Sequence, residues 1–148
     1  MLLTPHALAG LAIAKAEPSL LPAALAAVTI HFVLDYIPHK DMIGDDHINI
    51  GNVVLRITDT IIMLSLFVWL TPPDKIGYYF TILLCSILPD IIELPGLVWQ
   101  TYRELPGIKQ FHHWHTAVLQ YSWPKVNWYL GLLPQIILVI YTLWWLTS

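Results

Sequence analysis

The chain has 148 residues, of which 57% are apolar and only 11% charged, with a formal net charge of −3. Ordinary soluble domains carry roughly 25% charged residues, so this composition argues for an integral membrane protein and against a soluble one. The small net charge and the lack of any basic run give no footing for a nucleic-acid partner, and the single cysteine, Cys85, excludes an internal disulfide.

The length suits one domain, so residues 1–148 are read as a single membrane-embedded helical unit. Five apolar segments follow in order. The first covers 3–16 and ends at Glu17-Pro18, where proline disfavours helix in the residue before it. Residues 1–6 carry no Lys or Arg, which speaks against a signal peptide. The second covers 19–37, with Pro22 tolerated in its first turn and Pro38 ending it. The third, 53–71, is closed by Pro72-Pro73, and the fourth, 76–94, by Pro95-Gly96. The fifth covers 128–147. The last four, at about 19–20 residues and 1.5 Å of rise each, reach roughly 28–30 Å, the thickness of a bilayer's hydrocarbon core. The first is too short for a comfortable span and is expected to be tilted or half-inserted beside the second. No segment alternates as a barrel strand would. The fold expected is an all-α integral membrane protein, a bundle of about five hydrophobic helices with the first one short. Seven Trp and seven Tyr supply the rings that gather at membrane interfaces.

Alternating the connections puts the N-terminus, the loop 38–52 and the stretch 95–127 on one side. That side holds Lys40, Arg56, Arg103, Lys109 and Lys125, against Lys15 and Lys75 on the other. The positive-inside rule then makes the richer side cytoplasmic. All seven histidines fall on this side.

Ionisable groups inside apolar segments are expensive and mark sites. His31 and Asp35 stand four apart on one helix face, and His39 can fold back past Pro38. Asp90 and Glu93 stand three apart, with Pro89 freeing a carbonyl beside them. Phe111-His112-His113-Trp114-His115-Thr116 is the densest histidine cluster; in a helix His112 and His115 share a face and His113 points elsewhere. Asp59 follows Arg56 by three residues, either as an intrahelical ion pair or as a ligand beside an anion-holding guanidinium. His6 joins the set through the topology. The acidic loop 41–47 lacks EF-hand spacing, and no HExxH, GxSxG, P-loop or Rossmann fingerprint is present. Histidine with carboxylate is the ligand set of hydrolytic metals. The expected metal ligands are thus His6, His31, Asp35, His39, Asp59, Asp90, His112 and His115. Glu93, His113 and Arg56 are the candidate catalytic groups, Glu93 as base or bridging carboxylate and the other two as stabilisers of negative charge, a role open to Lys109 as well.

TPHALAG near the N-terminus, the central ILPDIIE and the later HHWHTA resemble the YdjM-like family of inner-membrane proteins assigned as metal-dependent hydrolases, and more loosely zinc-dependent phospholipase C-type proteins. The resemblance covers His6, Asp90, His112 and His115; Glu93 stands where the family often has Asp, and His113 where it has Arg. It implies a hydrolase class and no particular substrate. The combined expectation is a membrane-embedded hydrolase holding a divalent metal, zinc first with manganese or iron as the other candidates. Its expected substrate is a lipid or lipid-linked phosphoester or ester. The competing readings are a proton or metal-ion transporter or channel, a di-iron oxidase, and a structural membrane subunit.

Overall fold

The structure, a computed structural model, describes residues 1–40, 50–120 and 126–148. Among them the chain is all-helical with no strand. The principal helices are α1 (Leu3–Ala16), α2 (Leu20–Tyr36), α3 (Ile50–Leu70), α4 (Ile76–Glu93), the single turn α5 (Pro95–Val98), α6 (Pro106–His112) and α7 (Trp128–Thr147). A π-helical stretch, His113–Leu119, continues directly from α6.

Prolines set most of the boundaries. Pro38 follows the end of α2, Pro73 opens the turn before α4, and Pro95 and Pro106 stand at first helical positions, where their missing N–H is no loss. Asn127 caps α7, its side chain accepting from the Leu130 N–H at 2.9 Å.

The short first helix is the centre of the bundle. It packs against α2, α3, α4 and α7, and eight consecutive residues from Thr4 to Leu11 are buried. A helix apolar on every face belongs in a core, and Ala7, Ala9, Gly10 and Ala14 let its neighbours approach closely. At Gly10 an added Cβ would lie 2.6 Å from Ser86 Oγ, so α1 and α4 meet backbone to backbone there. The expectation of a half-inserted helix paired with α2 is thereby refined: α1 is short because it is enclosed, and its length need not match a bilayer.

Among the described residues, three helical stretches are long and apolar enough to cross a membrane: Ile50–Leu70, Pro73–Val98 and Tyr129–Thr147. α2, at 17 residues, is shorter than those. The outward faces carry the large apolar side chains, among them Leu21, Leu25, Val68, Trp69, Ile140 and Trp144, all more than half exposed. The interior instead holds His6, His31, Asp35, Ser86 and His115, each essentially inaccessible. Polar inside and apolar outside is the arrangement a lipid solvent favours.

Two sets of contacts distinguish the bundle ends. At one, Lys15 Nζ donates to the Trp145 and Leu146 carbonyls at 2.8 and 3.3 Å, closing the end of α7, and the Tyr78 hydroxyl donates to the Glu17 carbonyl. At the other, the start of α1 meets the ends of α2 and α4 and the first turns of α7, and here the ionisable residues gather.

Candidate metal centre

Asp35 lies in the last turn of α2, buried, with a histidine on every side. Its Oδ2 is 2.9 Å from His115 Nε2 and 3.2 Å from His31 Nε2, and it accepts from Gln120 Nε2 at 3.0 Å. Its Oδ1 is 3.1 Å from His6 Nε2, 3.9 Å from His39 Nε2 and 2.9 Å from the Met1 amino group. His31 Nε2 lies 3.4 Å from His115 Nε2 and 3.9 Å from Asp90 Oδ1.

His31, Asp35, Asp90 and His115 each offer a ligand atom within 4.8 Å of the other three. Around a tetrahedral ion with bonds of about 2.0–2.2 Å, donor atoms stand about 3.3–3.6 Å apart. The separations of 3.2 and 3.4 Å from His31 to Asp35 and His115 are of that size.

Tautomer chemistry strengthens the case. His31 Nδ1 is 2.8 Å from the Ser86 carbonyl oxygen, which can only accept, so Nδ1 carries a proton and donates. In the neutral ring Nε2 is then a lone pair, and it faces Asp35 Oδ2 and Asp90 Oδ1, two further acceptors. Converging acceptors repel unless a cation or a shared proton lies between them. A backbone carbonyl on the far nitrogen is the usual way in which a metal-binding imidazole is oriented.

The helices explain why these groups meet. Pro89 sits inside α4 one residue before Asp90 and lacks the N–H that would close its turn. The π-helical stretch after α6 widens the backbone turn and carries His115 inward while His113 stays exposed. π segments of this kind occur often at functional sites. His112 stays outside the Asp35 cluster: its Nδ1 is 2.7 Å from Glu93 Oε2, and Glu93 Oε1 stands 4.0 Å from His115 Nδ1, so both rings border that carboxylate. Glu93 Oε1, His115 Nδ1 and Asp90 Oδ2 are buried atoms without a hydrogen-bond partner among the described residues.

Four expected site residues stand elsewhere. Asp59 accepts at Oδ2 from the Leu3 N–H at 2.7 Å, with the Thr4 N–H at 3.4 Å from both its carboxylate oxygens, so it caps the start of α1 from α3. Leu2, the residue at the cap position, offers no side-chain bond of its own. Arg56 and Asp59 form no ion pair among the described residues; Arg56 is half-buried, and neither it nor the exposed His113 bonds to the cluster. Lys109 pairs with Glu104 at 2.8 Å on the surface, holding that carboxyl below its ordinary range. His47, the acidic loop and Lys125 lie outside the described residues.

Gln120, Gln135 and the Ser86 carbonyl were not singled out in the sequence. Gln135 Oε1 accepts from the Leu2 N–H at 3.1 Å, and its Nε2 donates to the Lys40 and Gly131 carbonyls. An amide inside the apolar run of α7, next to Pro134, was the available signal.

No protein-family model matches the chain, and neither a curated protein nor a solved structure does. The geometry thus defines a class: an all-helical bundle with membrane-length helices and a buried histidine–carboxylate cluster able to hold a metal ion.

Proposed function

We propose that the chain is a membrane-embedded metal-dependent hydrolase acting on a lipid or lipid-linked phosphoester or ester. The observation that carries this reading is the convergence of His31 Nε2, Asp35 Oδ2 and Asp90 Oδ1, with the proton of His31 held away on the Ser86 carbonyl. Mixed nitrogen and oxygen donors favour zinc, with manganese and iron as the competing ions. Such an ion, when bound, activates water and polarises the scissile group. Asp90 and Glu93, at the partly open edge of the cluster, face the side from which a substrate would enter. Glu93 is oriented by His112 through Oε2, which leaves Oε1 to take a proton. The resemblance to the YdjM-like family supports the same class and an inner-membrane location, and the positive-inside count supports a cytoplasmic opening of the site.

The test is elemental analysis of detergent-purified protein, followed by a screen of phosphoesters and lipid esters. The expected result is at least about one equivalent of zinc or manganese, lost in His31→Ala and Asp90→Ala, with hydrolysis that depends on it. Stoichiometric iron would move the reading to oxidation chemistry. Protein prepared without chelator yet free of metal would end the hydrolase reading.

A further inference from the structure

Resting on the metal-centre reading above, we infer that Asp35 is a bridging carboxylate, and that His6 and His39 hold a second divalent ion on its Oδ1. The four-residue cluster uses only Oδ2 of Asp35. Oδ1 has its own set: His6 Nε2 at 3.1 Å and His39 Nε2 at 3.9 Å, both rings buried.

The chemistry of the first site repeats here. His39 Nδ1 is 2.8 Å from the Ile37 carbonyl oxygen, so it donates there and leaves Nε2 as a lone pair in the neutral ring. On each oxygen of Asp35, therefore, one imidazole has its proton committed to a backbone carbonyl and its lone pair turned toward the carboxylate. His6 Nε2, 3.1 Å from the acceptor Asp35 Oδ1, donates there in the neutral ring, and His6 Nδ1 has no hydrogen-bond partner among the described residues, so an ion bound at Nε2 would take the place of that proton, which can move to Nδ1. The two halves are also held together: the His6 and His31 rings stack with centroids 4.0 Å apart and planes 20° from parallel.

The Met1 amino group, 2.9 Å from Asp35 Oδ1 and 2.7 Å from His39 Nε2, lies where the second ion would bind, so the ion would replace one cation with another and displace that amino group. A carboxylate offers about four lone-pair directions, enough to serve one ion through each oxygen. Ions bridged in this way stand about 3.5–4 Å apart, the separation at which a pair clamps both the attacking and the leaving oxygen of a displacement. Phosphoesters are thereby favoured over carboxylic esters within the proposed substrate class.

The experiment is manganese loading of the detergent-solubilised full chain, read by metal content and electron paramagnetic resonance. Wild type is expected to take up about two equivalents and to show the multiline spectrum of a spin-coupled pair. His6→Ala and His39→Ala are expected to keep about one equivalent, with an isolated-ion spectrum. Asp35→Ala is expected to lose both ions. Circular dichroism on each variant separates ligand loss from misfolding, and the wild-type spectrum needs no variant. An isolated-ion spectrum at about one equivalent in wild type, unchanged by His6→Ala, would overturn the second site and leave the first standing. No binding in wild type would overturn both.

Discussion

Asp59 and Asp90 look alike in the sequence, each an acid inside an apolar run, yet the fold puts them to different uses. Asp59 supplies the acceptor for the first turn of α1, where no local side chain does so. Asp59→Ala is expected to lower stability by about 1–2 kcal/mol, the usual loss on removing a cap, while leaving metal content unchanged. Thermal unfolding beside elemental analysis checks both halves. Glu93→Gln is expected to do the reverse: it keeps the fold and the metal but lowers turnover by roughly 10²–10⁴, as loss of a general base does. Equal activity in Glu93→Gln would remove it from the mechanism. The sequence marked both residues as anomalous because intramembrane charge is rare. It did not rank them, because the partner of Asp59 is a pair of backbone N–H groups fifty-five or so positions away, and a backbone group has no signature in sequence.

Among the helices, α1 departs most from its sequence reading. Its bounds, 3–16, were legible from the apolar run between the N-terminus and Pro18, but its place was not. Fourteen apolar residues fit a half-inserted helix or an enclosed one equally well, and only the surrounding α2, α3, α4 and α7 decide between them. Glycine provides the check. Gly10→Val would drive its Cβ into Ser86 and is expected to cost about 1–3 kcal/mol or more, as overpacking does. It should also disturb metal binding, since the Ser86 carbonyl orients His31. Gly77→Ala in α4 meets nothing within 4 Å and is expected to be neutral or stabilising by up to about 1 kcal/mol. Thermal melts of the two proteins in one detergent make the comparison. The π-helical stretch was only partly readable: spacing put His112 and His115 on one face, and both border Glu93, but that His115 alone also reaches Asp35 follows from the widened turn.

For the molecule as a whole, the outward apolar faces and the inward polar cluster make a joint demand on the solvent. Ile140, 63% exposed near the middle of α7, faces outward. Ile140→Lys is expected to impair insertion by about 2.5–3.5 kcal/mol if that face meets lipid, read as the membrane-integrated fraction against an extra-membrane control such as Gln100→Lys. An unchanged fraction would show the face to be covered by something other than hydrocarbon. Metal occupancy should also fall on acidification. Ligand binding releases protons, so lowering the pH opposes it and raising the pH restores it. A metal titration at several pH values gives the sign directly.

Composition and run length were sufficient for the helical class, the membrane-length helices and the chemical type of the site, because these depend on how many apolar residues follow one another and on which side chains interrupt them. The pairing within the site was decided by the packed bundle. Asp35 is a shared carboxylate because α1 brings His6 to one of its oxygens while α2 and the segment after α6 bring His31 and His115 to the other. The free lone pair of His31 exists because close packing sets its Nδ1 against a carbonyl of α4. Such contacts join residues far apart in the chain through backbone atoms that every residue possesses, and so they arise only when the helices meet.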